Sequence, residues 1–226
     1  MRTGSRIRRG ALPGRPRHRP TFVGAGGLAL FGFALLAGCG GASVEVPPEL
    51  PVPLVQPLPL KMGVHLPKEL REYVHREKLE QSGEWSIDLG GAQERMFRNL
   101  LTGMFEGMEV VPEPGATATD VDAVLVPAIQ EVQFSTPDQT RSEYFEVWVR
   151  YHFQLFDRDG TLIADWPMTA YGKANAHNYG MNSREPALQA AALAALRDAM
   201  AFFTVQFRTV PAVQSWLNAE LRSPSS

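Results

Sequence analysis

The clearest alternation of apolar and polar residues runs over residues 144–156. The two sets are Phe145, Val147, Val149, Tyr151, Phe153 and Leu155 against Tyr144, Glu146, Trp148, Arg150, His152 and Gln154. A period of two predicts a β-strand that packs one face on helices. The turn sequence at 157–160 (DRDG) and a second extended run at 161–174 predict an antiparallel hairpin.

The remaining pattern predicts further strands and four helices. The strands are expected at 58–64, 85–89, 108–111 and 121–134, and the helices at 67–75, 90–105, 186–207 and 212–221. Apolar residues three and four apart support the second helix, and alanines give the third strong helix propensity. Its predicted buried side is Leu188, Ala192, Ala195, Ala199, Phe202 and Phe203. These elements predict an α+β domain over 58–222, mainly an antiparallel sheet with helices on one face.

The amino-terminal residues follow a different pattern. Residues 22–37 are apolar and rich in small side chains, seven arginines precede them, and no acidic residue occurs before Glu45. This order predicts a secretory signal peptide over residues 1–38. A retained transmembrane helix is disfavoured, because a span needs about 20 apolar residues.

The signal peptide ends in Leu36-Ala37-Gly38-Cys39, and Cys39 is the only cysteine of the chain. These four residues resemble the lipobox of bacterial lipoproteins. The resemblance implies a diacylglyceryl group on the Cys39 thiol, cleavage before it, and acylation of the new amino terminus by a fatty acid such as palmitate. Gly40 follows where an inner-membrane retention signal would have aspartate, which implies the outer membrane, with the domain facing the periplasm.

Five prolines occupy residues 40–57, between Cys39 and the predicted domain. Extended polyproline-like chain is expected there, and at about 3.1 Å per residue it would reach roughly 50 Å from a bilayer. The segment 39–57 is therefore predicted to be an acylated tether. An edge segment that lies against the domain is the alternative.

The net charge of the chain without its signal peptide limits the binding partners that can be expected. Loss of the signal peptide removes seven of the 22 basic residues and leaves 24 acidic ones, a net charge of −9. Such a chain is a poor nucleic-acid binder, since phosphate contacts need Lys and Arg. The same charge disfavours an anionic lipid surface, so that acyl chains are expected to provide the membrane attachment.

The sequence predicts no catalytic, metal or cofactor site, and hence no enzyme. Residues 157–160 resemble the start of a calcium loop, but Met168 stands where its closing glutamate belongs. Glu72 and His75 have the spacing of a di-metal motif that needs a second copy. Asp120 and Asp122 are expected to cap a strand start.

A candidate contact surface comprises Trp148, Tyr171, His177, Asn178 and Tyr179. Trp148 lies on the polar face of its predicted strand, and the others belong to a segment without apolar period at 171–182. Exposed aromatic residues favour interfaces, and loops often carry function. An ordinary surface loop, with a tryptophan covered by that loop or by the tether, is the alternative.

Three further stretches are Lys61-Met62-Gly63-Val64, residues 122–127 (DAVLVP) and residues 194–199 (AALRDA). With the lipobox, they resemble YajG-like lipoproteins and the auxiliary lipoproteins of envelope ABC lipid-transport systems. The resemblance implies a non-catalytic accessory or scaffold of the envelope, attached to the membrane by its lipid and bound to an envelope protein. A lipid- or glycan-binding lipoprotein with a pocket between sheet and helices is the alternative, and a homo-oligomer is compatible with either.

Overall fold

The structure, a computed structural model, describes residues 40–80, 82–115, 120–180 and 184–222. Eight strands and five helices are assigned there. The strands are β1 (Ala42–Glu45), β2 (Leu58–Val64), β3 (Val74–Leu79), β4 (Gly83–Asp88), β5 (Phe105–Val110), β6 (Ala123–Ser135), β7 (Tyr144–Asp157) and β8 (Leu162–Asn175). The helices are α1 (Lys68–Arg71), α2 (Gly90–Met104), α3 (Pro137–Thr140), α4 (Arg184–Gln206) and α5 (Pro211–Glu220).

The larger sheet has five strands in the order β5-β2-β6-β7-β8. The long strands β6, β7 and β8 are antiparallel neighbours, whereas β2 pairs in parallel with both β5 and β6. A smaller sheet has the order β1-β4-β3, with β1 parallel to β4. The predicted α+β class is confirmed.

Both long helices pack on one face of the larger sheet, and aromatic rings fill the space between. Phe97 of α2 contacts Tyr151 and Phe153 edge-on, and the ring centroids of Phe153 and Phe203 of α4 lie 4.9 Å apart. Phe207 stacks on Phe203, and all five side chains are fully buried. Around these rings, side chains fill the space between sheet and helices, where the alternative function expects a ligand pocket.

The chain of α4 lies almost directly on β8. A Cβ atom added to Gly172 would stand 2.2 Å from the backbone oxygen of Ala191 and 2.2 Å from the backbone nitrogen of Ala195. Within the described residues, 184–209 form one helical stretch long and apolar enough to span a membrane. Its packing on β8 makes it the core helix of this domain.

Three local predictions need correction. The helix expected over 67–75 ends at Arg71, and His75 lies on β3, because β3 pairs along its whole length with β4. Glu72 and His75 therefore do not share a helix face. Phe202 is 46% exposed, and the buried stripe of α4 instead includes Ala191 and Leu196.

The proline-rich segment is the fourth correction. Residues 42–45 form β1, and Val44, Val46 and Leu50 are buried in the core. The edge-segment alternative describes residues 42–50, so a free spacer of 50 Å does not apply to them. Residues 46–57, termed the strap below, continue across the helices. The expected signal peptide and Cys39 lie outside the described residues.

Candidate functional site

The face of the larger sheet opposite α2 and α4, termed the open face below, carries polar and aromatic side chains. Cross-strand register places Gln133 of β6, Trp148 of β7 and Tyr171 of β8 in one row. Glu131, Arg150 and Thr169 form the next row on the same face. Alternation along the strands sends their neighbours, such as Val147 and Val149, into the core.

Trp148 and Tyr171 form a cross-strand aromatic pair. Their ring centroids are 5.2 Å apart, with 38° between the ring planes. Such pairs contribute about 0.5–1.5 kcal/mol beyond the area they bury. The pair fixes two amphipathic rings on a rigid sheet. Sequence reasoning named both residues, and the structure brings them together.

The Tyr171 hydroxyl donates a hydrogen bond to Glu146 Oε1 at 2.5 Å. Partial desolvation and then this carboxylate raise the pKa of Tyr171 from 10.0 to about 12. A raised tyrosine pKa means that the folded state favours the neutral hydroxyl. The resulting stabilisation is complete below the unfolded pKa near 10 and is lost as pH rises through 12.

A shallow depression of about 170 Å³ lies beside Trp148, with Glu131, Gln133, Arg150 and Thr169 as its other walls. Gln133 Nε2 donates to Glu131 Oε1 at 2.5 Å, and Arg150 Nη1 lies 3.6 Å from Glu131 Oε2. Pockets for small molecules usually measure about 300–1,000 Å³. The size and the mixed polarity therefore suit a contact surface better than an enclosing pocket.

Four residues along β7 from Trp148, Tyr144 lies opposite Asn175, about 13 Å from the Trp148 row. The ammonium group of Lys173 lies 5.0 Å from the Tyr144 ring centroid. Tyr144, Glu146 and Lys173 were missed as contact residues, although the period of two already placed Tyr144 and Glu146 on this face.

The predicted loop at 171–182 is only partly a loop. Residues up to Asn175 belong to β8, and a 3-10 turn covers Ala176–Tyr179. His177 Nδ1 lies 3.6 Å from Glu143 Oε1, while Asn178 and Tyr179 are exposed. The turn thus extends the surface at the far end of the hairpin rather than joining the Trp148 row.

The acidic and histidine side chains form scattered ion pairs. Arg158 bridges Asp122 and Glu220 at 3.1 and 2.8 Å, and His152 lies 3.1 Å from Asp165. Lys61 pairs with Asp120. Across the described residues, no three His, Cys, Asp or Glu side chains group as a metal site would require. Asp157 Oδ1 accepts from the backbone N–H groups of Asp159 and Thr161, which is the chemistry of a turn.

No protein-family model matches the chain, and no curated protein matches it. Its fold is similar to a Xanthomonas campestris protein of family DUF330, with 11% identity, a TM-score of 0.48, and coverage of 80% of this chain and 99% of that one. A minor lipoprotein from Acinetobacter baumannii has 14% identity and a TM-score of 0.42, over 67% and 92%. At these values the likeness carries no argument about function.

Proposed function

We propose that this chain is a non-catalytic lipoprotein of the bacterial envelope that presents its open face to a protein partner. The observation that carries the proposal is the Trp148–Tyr171 pair, held on a rigid sheet beside Arg150 and Glu131. Tryptophan, tyrosine and arginine dominate the energetics of protein interfaces. The shallow depression beside Trp148 suits contact with the surface of a partner.

The attachment to the membrane rests on the sequence. Leu36-Ala37-Gly38-Cys39 after a basic and then apolar leader supports an acylated Cys39. Two or more acyl chains anchor stably, whereas one is marginal, at about 0.8 kcal/mol per buried methylene. Gly40 supports placement on the periplasmic face of the outer membrane.

The partner is tested by affinity capture from detergent-solubilised membranes. Full-length wild type is compared with Trp148→Ala and Tyr171→Ala, and with Lys78→Ala on β3 as an exposed control away from the open face. We expect one set of envelope proteins with wild type and Lys78→Ala, and its loss with both aromatic variants. An unchanged set in all four samples contradicts a role for the open face.

Glycan binding is the second candidate. The ring faces of Trp148 and Tyr171 provide apolar contact for a sugar ring. Glu131 and Gln133, in the depression beside Trp148, provide hydrogen-bond partners for the hydroxyl groups of the sugar. Native mass spectrometry against a panel of envelope oligosaccharides tests this. Adducts that vanish with Trp148→Ala would favour it over a protein partner.

A further inference from the structure

The outer side of α4 lacks the polar face of an ordinary surface helix. Residues 199–207 (AMAFFTVQF) contain no charge, and Val205 is 67% exposed beside Phe202. A surface helix in a soluble domain normally turns charged residues outward, whereas a helix that is apolar all round is covered. The carboxy-terminal half of α4 is covered by the sheet on one side only.

The strap adds apolar side chains to the same surface. Asn99 Nδ2 of α2 donates to the carbonyl oxygen of Leu50 at 2.6 Å, and Arg208 Nη2, in the 3-10 turn Phe207–Thr209 after α4, donates to that of Gln56 at 3.2 Å. Val55 lies beside Ala201 and Thr204 of α4. Leu54 is fully exposed. We term the exposed set the helix patch: Val52, Leu54, Val55, Phe202 and Val205.

The charges around the helix patch differ from those of the whole chain. Residues 50–57 and 199–213 contain no acidic residue, Arg197 is exposed on α4, and Arg208 is exposed in the 3-10 turn Phe207–Thr209 that follows it. The acidic neighbour on α4 is Asp198, whose Oδ2 accepts a hydrogen bond from the backbone N–H of Tyr171 on β8. Most of the negative charge of the mature chain, which argues against anionic lipid, is therefore carried elsewhere. Apolar side chains flanked by arginines match the acyl boundary and the phosphate groups of a phospholipid surface.

The first described residues show where a lipid anchor on Cys39 would be attached to the domain. Arg184 Nη1 donates to the carbonyl oxygen of Gly40 at 2.9 Å, and β1 begins at Ala42. Cys39 is bonded directly to Gly40, so its acyl chains would enter the bilayer beside the first turn of α4. From Arg184 to Val205 the helix rises about 31 Å, at 1.5 Å per residue. Gly40 and the helix patch thus lie at opposite ends of one helix.

We infer that the helix patch rests on the surface of the phospholipid bilayer that holds the anchor, with α4 parallel to the membrane plane. The inference rests on the proposed acylation of Cys39. Because so few residues separate the anchor from the folded domain, the bilayer is present at high effective concentration, and a weak apolar contact suffices. In this orientation the open face points away from the lipid, toward the compartment where a partner resides.

The test uses the full lipidated protein. The thiol of an acylated Cys39 is consumed, so Val205→Cys provides a single site for an environment-sensitive fluorophore, and Lys173→Cys on β8 provides the matched control. Both are reconstituted into vesicles of phosphatidylethanolamine with a minor fraction of phosphatidylglycerol, some containing brominated acyl chains. Circular dichroism confirms that both labelled variants are folded.

We expect several-fold stronger quenching by brominated lipid at position 205 than at position 173. Equal, weak quenching at both positions in protein that floats with the vesicles overturns the inference and leaves the anchor intact. A label at position 205 that is shielded from water in concentrated detergent solution and unquenched in vesicles also overturns the inference. That result would indicate that a second copy of this chain covers the helix patch. Protein that fails to float contradicts the acylation itself, and this result is separate from the other two.

Discussion

Replacing Gly172 by alanine should destabilise the domain, because α4 leaves no room for a side chain there. The added Cβ would stand 2.2 Å from Ala191 O and Ala195 N, both backbone atoms that cannot rotate away. Ordinary contact needs about 3.5 Å, so α4 must lift by roughly 1 Å along β8. Overpacking of this kind costs about 1–3 kcal/mol of unfolding free energy. For a domain of this size that corresponds to a fall in Tm of about 3–10 °C.

Urea unfolding followed by tryptophan fluorescence measures this loss, and Gly91→Ala is the control. A Cβ on Gly91 meets no atom within 4 Å, and the residue lies in the first turn of α2. Alanine is the better helix former by up to about 1 kcal/mol, so this variant should be unchanged or more stable. If Gly172→Ala lowers the free energy of unfolding by less than about 0.5 kcal/mol, the close packing of α4 on β8 is refuted, because ordinary surface substitutions change it by that much.

Three further predictions concern the surface. Glu146→Gln should lower the pKa of Tyr171 from about 12 part of the way toward its ordinary value, because desolvation, the largest cause of the raised pKa, remains while the charged acceptor is gone. Tyrosinate absorbance against pH measures the change, and an unmoved transition contradicts the hydrogen bond. Gly103→Ala should loosen the strap, since its Cβ would lie 2.6 Å from Pro53 O. Limited chymotrypsin cleavage after the exposed Leu54 should quicken, and an unaltered cleavage rate would count against this contact. Calcium should leave the Tm unchanged, because Asp157 is committed to its turn; a rise with added calcium would reverse that assignment.

Much of the fold could be predicted because the spacing of apolar residues in the sequence matches the positions that are buried in the structure. The alternation over β7 is strict, and the structure buries its odd positions from Phe145 to Leu155. In α4 the pattern does not predict the buried side, because apolar residues occur on all sides of the helix. Their spacing does not show whether Phe202 or Phe203 is buried. Only the position of β8 beneath the helix decides which phenylalanine is buried.

The aromatic pair shows why the site was harder to predict than its strands. The hairpin turn sets Phe156 opposite Leu162, and extending that register would place Trp148 against Ala170. A bulge between Leu155 and Phe156 shifts the pairing by one residue, which brings Tyr171 opposite Trp148. Composition identified the two aromatics, but their contact depends on this one irregularity.

Residues 42–46 illustrate a signal that composition concealed. Prolines suggested free chain over 40–57, yet Ala42, Val44 and Val46 alternate with polar residues and all three are buried. Two parallel pairings, Val44 with Ile87 and Ala42 with Trp85, extend the smaller sheet. Tertiary pairing with β4, rather than the proline content, decides the conformation.

The central claim is that acyl groups on Cys39 hold this chain at a membrane. Intact mass spectrometry of the native protein, purified from membranes, tests it most directly, with Cys39→Ser expressed in parallel. We predict a chain that begins at Cys39 and carries the added mass of a diacylglyceryl group and an amide-linked acyl chain, and a Cys39→Ser protein without either. A native chain that begins at Met1, or that carries an unmodified thiol at Cys39, would contradict the account.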